Sequence, residues 1–148
     1  MHSFKIYNST IKPDANEKQE IVDFLFNHLD QYGDPKEHIL SCLEFATMEK
    51  LKSFGGFALV VKENNEILGA TIINQTGMSG YIPDNILVYI AVHEKTRGKG
   101  IGKALMEKAI SIAEGDIALH VEPDNPARKL YEKLGFTNKY LEMRLKKI

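Results

Sequence analysis

The spacing of apolar residues predicts two early helices behind a short first strand, residues 4–7. The first helix is expected to begin at Asp14, because Asp14 and Glu17 have the spacing of a capping box. Gly33 should end it, and Asp34-Pro35 has the cap-then-proline pattern that begins a second helix. The residues that repeat at helical spacing in the two segments are Ile21, Leu25, Leu29, Ile39, Leu43 and Ala46.

The pattern then changes to the short apolar runs that are typical of strands. Residues 57–61 and 67–74 flank a polar turn and predict an antiparallel hairpin, whereas residues 86–92 are nearly all apolar, as in a central strand. Strands and helices alternate from there on, which favours one α/β domain over residues 1–148. The later predicted elements are a helix from Ile101 to Gly115, a strand over 117–122, a short helix from Asn125 to Leu134, and a last strand over 140–145.

Composition limits the classes of function. A chain of 148 residues with 43% hydrophobic content is the size of one globular domain. A net charge of −1 gives no general attraction to nucleic acid or to an anionic membrane, and no run of apolar residues is long enough to span a bilayer. Cys42 is the single cysteine, so an intrachain disulfide is excluded and we expect a cytoplasmic protein.

Charge is distributed unevenly. Residues 14–50 contain nine acids and three bases, whereas residues 93–148 contain twelve Lys or Arg and eight acids. Solvated helix faces explain both counts. The alternative is that the basic end holds an anionic cofactor and the acidic end receives a cationic substrate.

A glycine-rich turn, residues 97–102, lies between the predicted central strand and the following helix. The first amides of a helix lack intrahelical partners and favour anions, so such a turn is a plausible phosphate site. Lys103 stands where a dinucleotide fingerprint needs glycine, and Ala104 stands where a nucleotide P-loop needs Ser or Thr. A turn that merely closes a strand–helix connection is the remaining alternative.

The pattern that does fit is Arg-x-x-Gly-x-Gly at Arg97, Gly100 and Gly102. It resembles the pyrophosphate loop of the GNAT superfamily of N-acetyltransferases. Residues 131–136, Tyr-Glu-Lys-Leu-Gly-Phe, are similar to a second segment of that family. The resemblance covers about residues 56–145 and implies a GNAT-like α/β fold. In this fold a mixed, mostly antiparallel central sheet splays between its two central parallel strands and is flanked by about four helices.

The resemblance also implies a cofactor site for acetyl-CoA, with no metal. The backbone of Ile90, Ala91 and Val92 would hold the pantetheine arm, and the Ile90 N–H would polarise the thioester carbonyl. The residues implied around the pyrophosphate are Arg97, Gly98, Lys99, Gly100, Ile101 and Gly102. Candidates for the remaining phosphate are Lys95, Lys99, Arg128 and Lys129.

We expect two catalytic residues, the first of which is implied by the resemblance. Tyr131 would protonate the departing thiolate, although a core tyrosine is the alternative. Glu122, on the strand predicted beside the splayed one, is our choice of general base, with His120, Tyr89 and Glu44 as further candidates. A structural role is the alternative for each of them. Asn125 would contact the cofactor, or serve only as a helix cap.

The resemblance implies acetyl transfer from acetyl-CoA to a primary amine by direct attack in a ternary complex. The acidity of the early helices favours a small, cationic acceptor. The acceptor pocket would be shaped by the tandem helices and by residues 75–85. The alternatives are a non-catalytic acetyl-CoA sensor and an acetyltransferase acting on a protein or peptide amine. Dimers are frequent in the superfamily, so the resemblance adds the expectation of a homodimer.

Overall fold

A mixed five-stranded sheet organises the chain, and the computed structural model describes residues 2–148. The strands lie side by side in chain order. The first four are antiparallel to their neighbours, and only the last pair is parallel. The strands are β1 (Ser3–Tyr7), β2 (Gly56–Glu63), β3 (Glu66–Gln75), β4 (Asn85–Val92) and β5 (Ile117–Leu119). This mixed sheet confirms the predicted fold class.

Four helices flank the sheet. The tandem helices are α1 (Ala15–His28) and α2 (Lys36–Ala46), and the later helices are α3 (Ile101–Ile112) and α4 (Arg128–Lys133). The capping box at the start of α1 forms as predicted: the Asp14 carboxylate accepts from the Glu17 N–H, and the Glu17 carboxylate accepts from the Asp14 N–H. None of the described helices has the length and apolar character that crossing a bilayer requires.

The two faces of the sheet carry two separate cores. α1 and α2 cover one face, where Leu25 and Leu43 pack with Ile72. α3 and α4 cover the other face, where Leu105 and Tyr131 belong to the second core. Successive residues of a strand point to opposite faces, so the nearly continuous apolar runs of β2 to β4 fill both cores.

Gly69 on β3 lets α3 approach the sheet closely. A Cβ at this position would lie 3.2 Å from Ile101 Cγ2 and 3.4 Å from Leu105 Cδ2. Ile101 is itself buried, so the first turn of α3 is fixed directly against the sheet. The glycine-rich turn before α3 therefore starts from a rigid platform.

The sheet opens between its two parallel strands. β4 pairs with β5 only over Asn85, Ile86 and Leu87. On the other side of β4, the register with β3 shifts so that Val88 is the extra, bulged residue. From Val88 onward β4 keeps its partner β3 and has no strand beside it on the β5 side. The splay that the family resemblance implied is present.

Two sequence predictions about strands are wrong. β5 ends at Leu119 and does not reach residue 122, and residues 140–145 form no strand. The side chains of Leu141, Met143 and Leu145 are 82%, 89% and 87% exposed. Alternating apolar residues indicate a face to be buried, but they do not specify the edge that the strand will pair with.

The second and fourth helices also begin later than predicted. The second helix begins at Lys36 with Pro35 as its N-cap, so Asp34 does not cap it. The last helix begins at Arg128, and Asn125 caps the turn before it by accepting a 2.9 Å hydrogen bond from the Ala127 N–H. Asp34 instead makes a long-range hydrogen bond, described below, that no local pattern could indicate.

Candidate active site

The backbone of β4 has one free edge. The His93 N–H donates to the Leu68 carbonyl across the β3 ladder at 2.7 Å. Alternate residues of an antiparallel strand face the same neighbour, so the backbone groups of Ala91 also face β3. Those of Ile90 and Val92 face the opening towards β5. Of the three residues predicted to hold a pantetheine arm, Ile90 and Val92 thus present their amides to the gap, whereas Ala91 does not.

The glycine-rich turn leads from this free edge into α3. Gly98 and Gly100 have positive φ angles of 81° and 82°, and a Cβ built on either would meet nothing within 4 Å. Gly100 is the N-cap of α3 and provides no side chain to cap it. The first amides of α3 therefore have no side-chain cap, and the space beside Gly98 and Gly100 is open, as an anion site requires.

Ile101 and Gly102 fix the end of the glycine-rich turn against the second core. Ile101 is 5% exposed and belongs to the second core. A Cβ at Gly102 would be 3.4 Å from Val92 Cγ2 and 3.5 Å from Leu130 Cδ2, so this glycine lies where β4, α3 and α4 meet. Their role in the turn is backbone placement.

The Arg97 side chain is directed towards α1. Its Nη2 donates to the His28 carbonyl at 2.8 Å, its Nη1 lies 3.3 Å from Asp30 Oδ2, and its Nε donates to the Val92 carbonyl at 3.3 Å. A guanidinium at the last carbonyls of a helix also interacts favourably with the helix dipole. Arg97 therefore braces the glycine-rich turn against α1.

The remaining basic candidates stand around the turn. Lys95, Lys99 and Lys129 form no salt bridge with any other described residue, and Arg128 lies 3.7 Å from Glu132 on α4. Their charges are available at the surface, but none is fixed in one direction.

Two histidine rings lie next to the contacts between Arg97 and α1. The rings of His28 and His93 are 4.4 Å apart, and Phe24 lies 4.6 Å from His28. Burial and the neighbouring His93 lower the pKa of His28. These rings join α1 to the end of β4, a contact that the sequence analysis did not anticipate.

Tyr131 lies on α4 with its ring inside the second core. It is 7% exposed, and its ring meets Phe136 edge-on at 6.1 Å. Burial raises the pKa of Tyr131 to about 12. Its hydroxyl has no hydrogen-bond partner within residues 2–148, and it is not sealed from solvent. The ring is a core residue, as the alternative interpretation held, but the hydroxyl keeps its donor uncommitted.

The linker between α1 and α2, residues 29–35, bridges the mouth of the opening. Asp30 contacts Arg97 of the turn, the Tyr32 hydroxyl donates to the Asp124 carbonyl beyond β5 at 3.5 Å, and Asp34 Oδ2 accepts from the Tyr89 hydroxyl at 2.5 Å. One short segment thus touches the turn, β4 and the loop after β5. Local sequence patterns indicated only the end of one helix and the start of the next in this segment, because all three contacts join residues that are distant along the chain.

The candidates for general base lie in different environments. Glu122 is exposed in a turn beyond β5. Burial raises the pKa of Tyr32, and the charges of Asp124 and Glu122 add to this shift. His120 is exposed beside Glu122. Glu44 is paired with Lys18 at 3.3 Å and Lys50 at 3.8 Å.

Tyr89 is disfavoured as a base. Burial and its hydrogen bond to Asp34 raise the pKa of Tyr89, so the phenol stays protonated. The described residues contain no cluster of three or more His, Cys, Asp or Glu side chains arranged to hold a metal ion.

The glycine-rich turn, the free strand edge and the following tyrosine helix lie within the region that a known family shares. The family model described as the acetyltransferase (GNAT) family matches residues 20–136. The chain belongs to the GNAT family. Members of this family are N-acyltransferases, and this GNAT chain is therefore an acyltransferase.

Solved structures share the fold of this GNAT chain. The protein PH1933 from Pyrococcus horikoshii OT3 is 25% identical, with a TM-score of 0.67 over 91% of this chain and 89% of that one. An aminoglycoside N-acetyltransferase, AAC(6')-Iy, in complex with CoA, is 15% identical, with a TM-score of 0.69 over 99% and 96%. A ribosomal-protein-alanine N-acetyltransferase from Brucella melitensis biovar Abortus 2308 is 18% identical, with a TM-score of 0.63 over 99% of both chains.

The brace between Arg97 and α1 predicts how the turn responds to mutation. Arg97→Ala should weaken CoA binding roughly tenfold, because hydrogen bonds to a charged group are lost and the turn is no longer held. Asp30→Asn should weaken binding in the same direction, since Asp30 orients the guanidinium. Calorimetric titration with CoA measures both, and Asp23→Asn is the control because Asp23 pairs with Lys36 elsewhere on α1.

If the Arg97 guanidinium instead contacted a phosphate directly, the opposite effect on CoA binding would be expected for Asp30→Asn. Removing a negative charge near an anion site would then leave binding unchanged or tighten it. That result would contradict the bracing role.

Proposed function

We propose that this chain is an acetyl-CoA-dependent N-acetyltransferase that acetylates the primary amine of a small cationic acceptor by direct attack in a ternary complex. The observation that carries the proposal is the free edge of β4 at Ile90 and Val92, which leads directly into an uncapped glycine-rich turn. A strand edge can accept an extended amide-containing arm, and the turn can accept the phosphates to which that arm is joined.

The residues present fit acetyl-CoA. Gly98 and Gly100 leave open space where side chains would block a phosphate. The pantetheine arm would lie along Ile90 and Val92, and the pyrophosphate would lie on the amides of residues 98–102. Acetyl-CoA would supply the activated acetyl group and a thiolate as leaving group.

Ile90 supplies the electrostatic part of the mechanism. Negative charge develops on the thioester carbonyl oxygen when the amine attacks, and a donor already in place stabilises it. The Ile90 N–H has this preorganised character because β3 fixes the strand on its other side. One such donor contributes about 3 kcal/mol to transition-state stabilisation in other acyl-transfer enzymes.

Tyr131 is proposed as the proton donor to the leaving thiolate. A phenol with a pKa of about 12 stays protonated, and at first sight it is too weak an acid for a thiol whose pKa is about 8.5 in water. The same burial disfavours a thiolate, however, as Cys42 illustrates: burial raises the pKa of its thiol to about 12. A thiolate that leaves beside the buried Tyr131 ring would likewise have its pKa raised, which narrows the difference between the proton donor and the acceptor.

Asp34 supports a cationic acceptor. Salt bridges pair most of the acids in the first two helices with bases, including Glu20 with Lys62, Asp23 with Lys36 and Glu44 with Lys18. The net acidity of this region is thus a weaker argument than the sequence suggested. Asp34, in contrast, makes no salt bridge within residues 2–148, is exposed, and is held by Tyr89, the residue next to Ile90.

The acceptor must also lose a proton before or during attack. A primary alkyl amine has a pKa near 10.4, so it arrives protonated and can bind a carboxylate. Asp34 is positioned to bind the ammonium form, and Glu122 beyond β5 remains our choice of general base, acting through water.

A cytoplasmic location is part of the same proposal and rests on a single buried cysteine with no disulfide partner.

Tyr131→Phe tests turnover. Release of free thiol from acetyl-CoA should depend on an added amine, and the variant should lower kcat roughly 10²- to 10⁴-fold while CoA affinity stays unchanged. The assay uses a panel of polyamines, aminosugars and amino acid amides. Tyr140→Phe is the control, because Tyr140 is 78% exposed and lies outside the site. CoA binding without thiol release from any acceptor, protein amines included, would contradict an enzyme and favour a sensor.

Asp34→Asn tests the charge of the acceptor. The asparagine can still accept from the Tyr89 hydroxyl, so the variant removes the charge with little change of shape. KM for the preferred cationic amine should rise roughly tenfold or more, whereas KM for acetyl-CoA should not change. Glu37→Gln, an exposed acid on α2 without a salt bridge in the described chain, is the matched control. An equal effect on KM for an acceptor amine that is neutral at the assay pH would contradict the assignment.

A further inference from the structure

Two imidazoles accept backbone hydrogen bonds where the chain passes from β4 to the glycine-rich turn. His28 is the last residue of α1, and His93 directly follows β4. His28 Nδ1 accepts from the Glu94 N–H at 3.4 Å, and His93 Nδ1 accepts from the Lys95 N–H at 3.1 Å. A backbone N–H can only donate, so each Nδ1 must keep its lone pair and each ring must carry its hydrogen on Nε2. Both hydrogen bonds therefore require a neutral imidazole.

The same two histidines hold the next two residues through their carbonyl groups. The Thr96 N–H donates to the His93 carbonyl at 2.9 Å, and the Thr96 hydroxyl donates to the same oxygen at 3.0 Å. Arg97 Nη2 donates to the His28 carbonyl at 2.8 Å. Each of the residues 94–97 is thus bound to one of the two histidines. This segment joins the end of β4 to the glycine-rich turn.

Protonation would break this arrangement. An imidazolium donates from both nitrogens and has no lone pair, so a ring N–H would face the N–H of Glu94 or of Lys95. The centres of the His28 and His93 rings lie 4.4 Å apart, so two imidazolium charges would also repel each other. Acid therefore removes the acceptors that hold two consecutive amides ahead of the glycine-rich turn.

The charged groups next to the two rings come from the linker between α1 and α2 and from the segment before the turn: Asp30, Glu94, Lys95 and Arg97. Burial lowers the pKa of His28, the charges of His93 and Arg97 act in the same direction, and those of Glu94 and Asp30 oppose them. His28 is thus neutral at neutral pH. The unfolded chain takes up this proton first, so the free energy of unfolding should also fall as the pH drops below about 6.5.

We propose that His28 and His93 are positioning residues that hold the glycine-rich turn in its cofactor-binding conformation only while both rings are neutral, so that acid weakens the binding of CoA. This rests on the proposed function, in which the turn holds the cofactor phosphates. The rings act through the backbone of residues 94–97 and not by contact with the cofactor. Cofactor affinity would then depend on pH without any titrating group at the acetyl centre.

Calorimetric titration with 3′-dephospho-CoA at pH 7.5 and pH 5.0 tests the acid effect. This probe keeps the pyrophosphate but lacks the phosphate monoester, whose second pKa of about 6 would add its own pH dependence. For the unmodified chain Kd should rise about threefold to thirtyfold in acid, the upper value being that of one imidazole with a pKa of about 6.5. Tighter binding in acid would mean that a protonated ring contacts a phosphate, and it would overturn the proposal. An unchanged Kd would overturn it as well.

The double variant His28→Asn with His93→Asn removes the titration and keeps the acceptors, because an asparagine Oδ1 can take the place of Nδ1 at any pH. Whatever its affinity at pH 7.5, the ratio of its Kd values at the two pH values should be close to one. The matched control is His38→Asn, an exposed histidine on α2, which should keep the ratio of the unmodified chain. A double variant with native circular dichroism that retains the full acid effect would contradict the positioning role.

Amide hydrogen exchange gives a readout that needs no cofactor. In the unmodified chain the protection factors of the Glu94 and Lys95 amides should fall severalfold between pH 7.5 and pH 5.0. The His93 amide, which donates to the Leu68 carbonyl on β3, should keep its protection. Equal protection of Glu94 and Lys95 at both pH values would overturn the proposal. If these amides lost protection in acid while the probe bound at neither pH, the proposed function would fail and the acid release of the segment would stand.

Discussion

The bulge at Val88 is the feature on which the rest of this structure depends. A central strand normally pairs along both edges, and buried backbone groups without partners are costly. Here the bulge and the early departure of β5 leave Ile90 and Val92 with amides that face an opening. The sheet tolerates this because β3 still pairs with β4 on the other side, and because water can hydrogen-bond the free amides where the sheet is open. A ligand that brings its own amides can replace the water at little cost.

Several contacts keep that opening in shape from outside the sheet. Gly69 lets α3 pack closely on β3, which fixes the origin of the glycine-rich turn. Arg97 then ties the turn to the last carbonyls of α1, and the linker between α1 and α2 extends to Tyr89 and to Asp124. The proposed cofactor side and the proposed acceptor side of the cleft are thus linked through one short segment. Binding on either side should be sensitive to mutations in residues 29–35.

The sequence was sufficient for the parts of the fold that depend on local spacing. The capping box at Asp14 and Glu17, the hairpin and the glycine-rich turn are each determined within a few residues. The predicted splay came from the family resemblance, because no local pattern states where β5 leaves β4. Asp34 shows the limit of local reasoning: its place before Pro35 suggested a helix cap, whereas its side chain bonds to Tyr89, 55 residues away. The predicted strand over residues 140–145 was wrong for the same reason. Alternating apolar residues indicate which face is to be buried, but they do not indicate which strand will pair with them.

Amide hydrogen exchange at β4, measured by NMR with and without saturating acetyl-CoA, tests the central claim most directly. The amides of Ile90 and Val92 face the opening and should exchange rapidly in the free protein and slowly in the complex. The amide of Ala91 faces β3 and should be protected in both states. Unchanged exchange at Ile90 and Val92 in a complex that calorimetry shows to be saturated would mean that the free edge of β4 does not hold the cofactor.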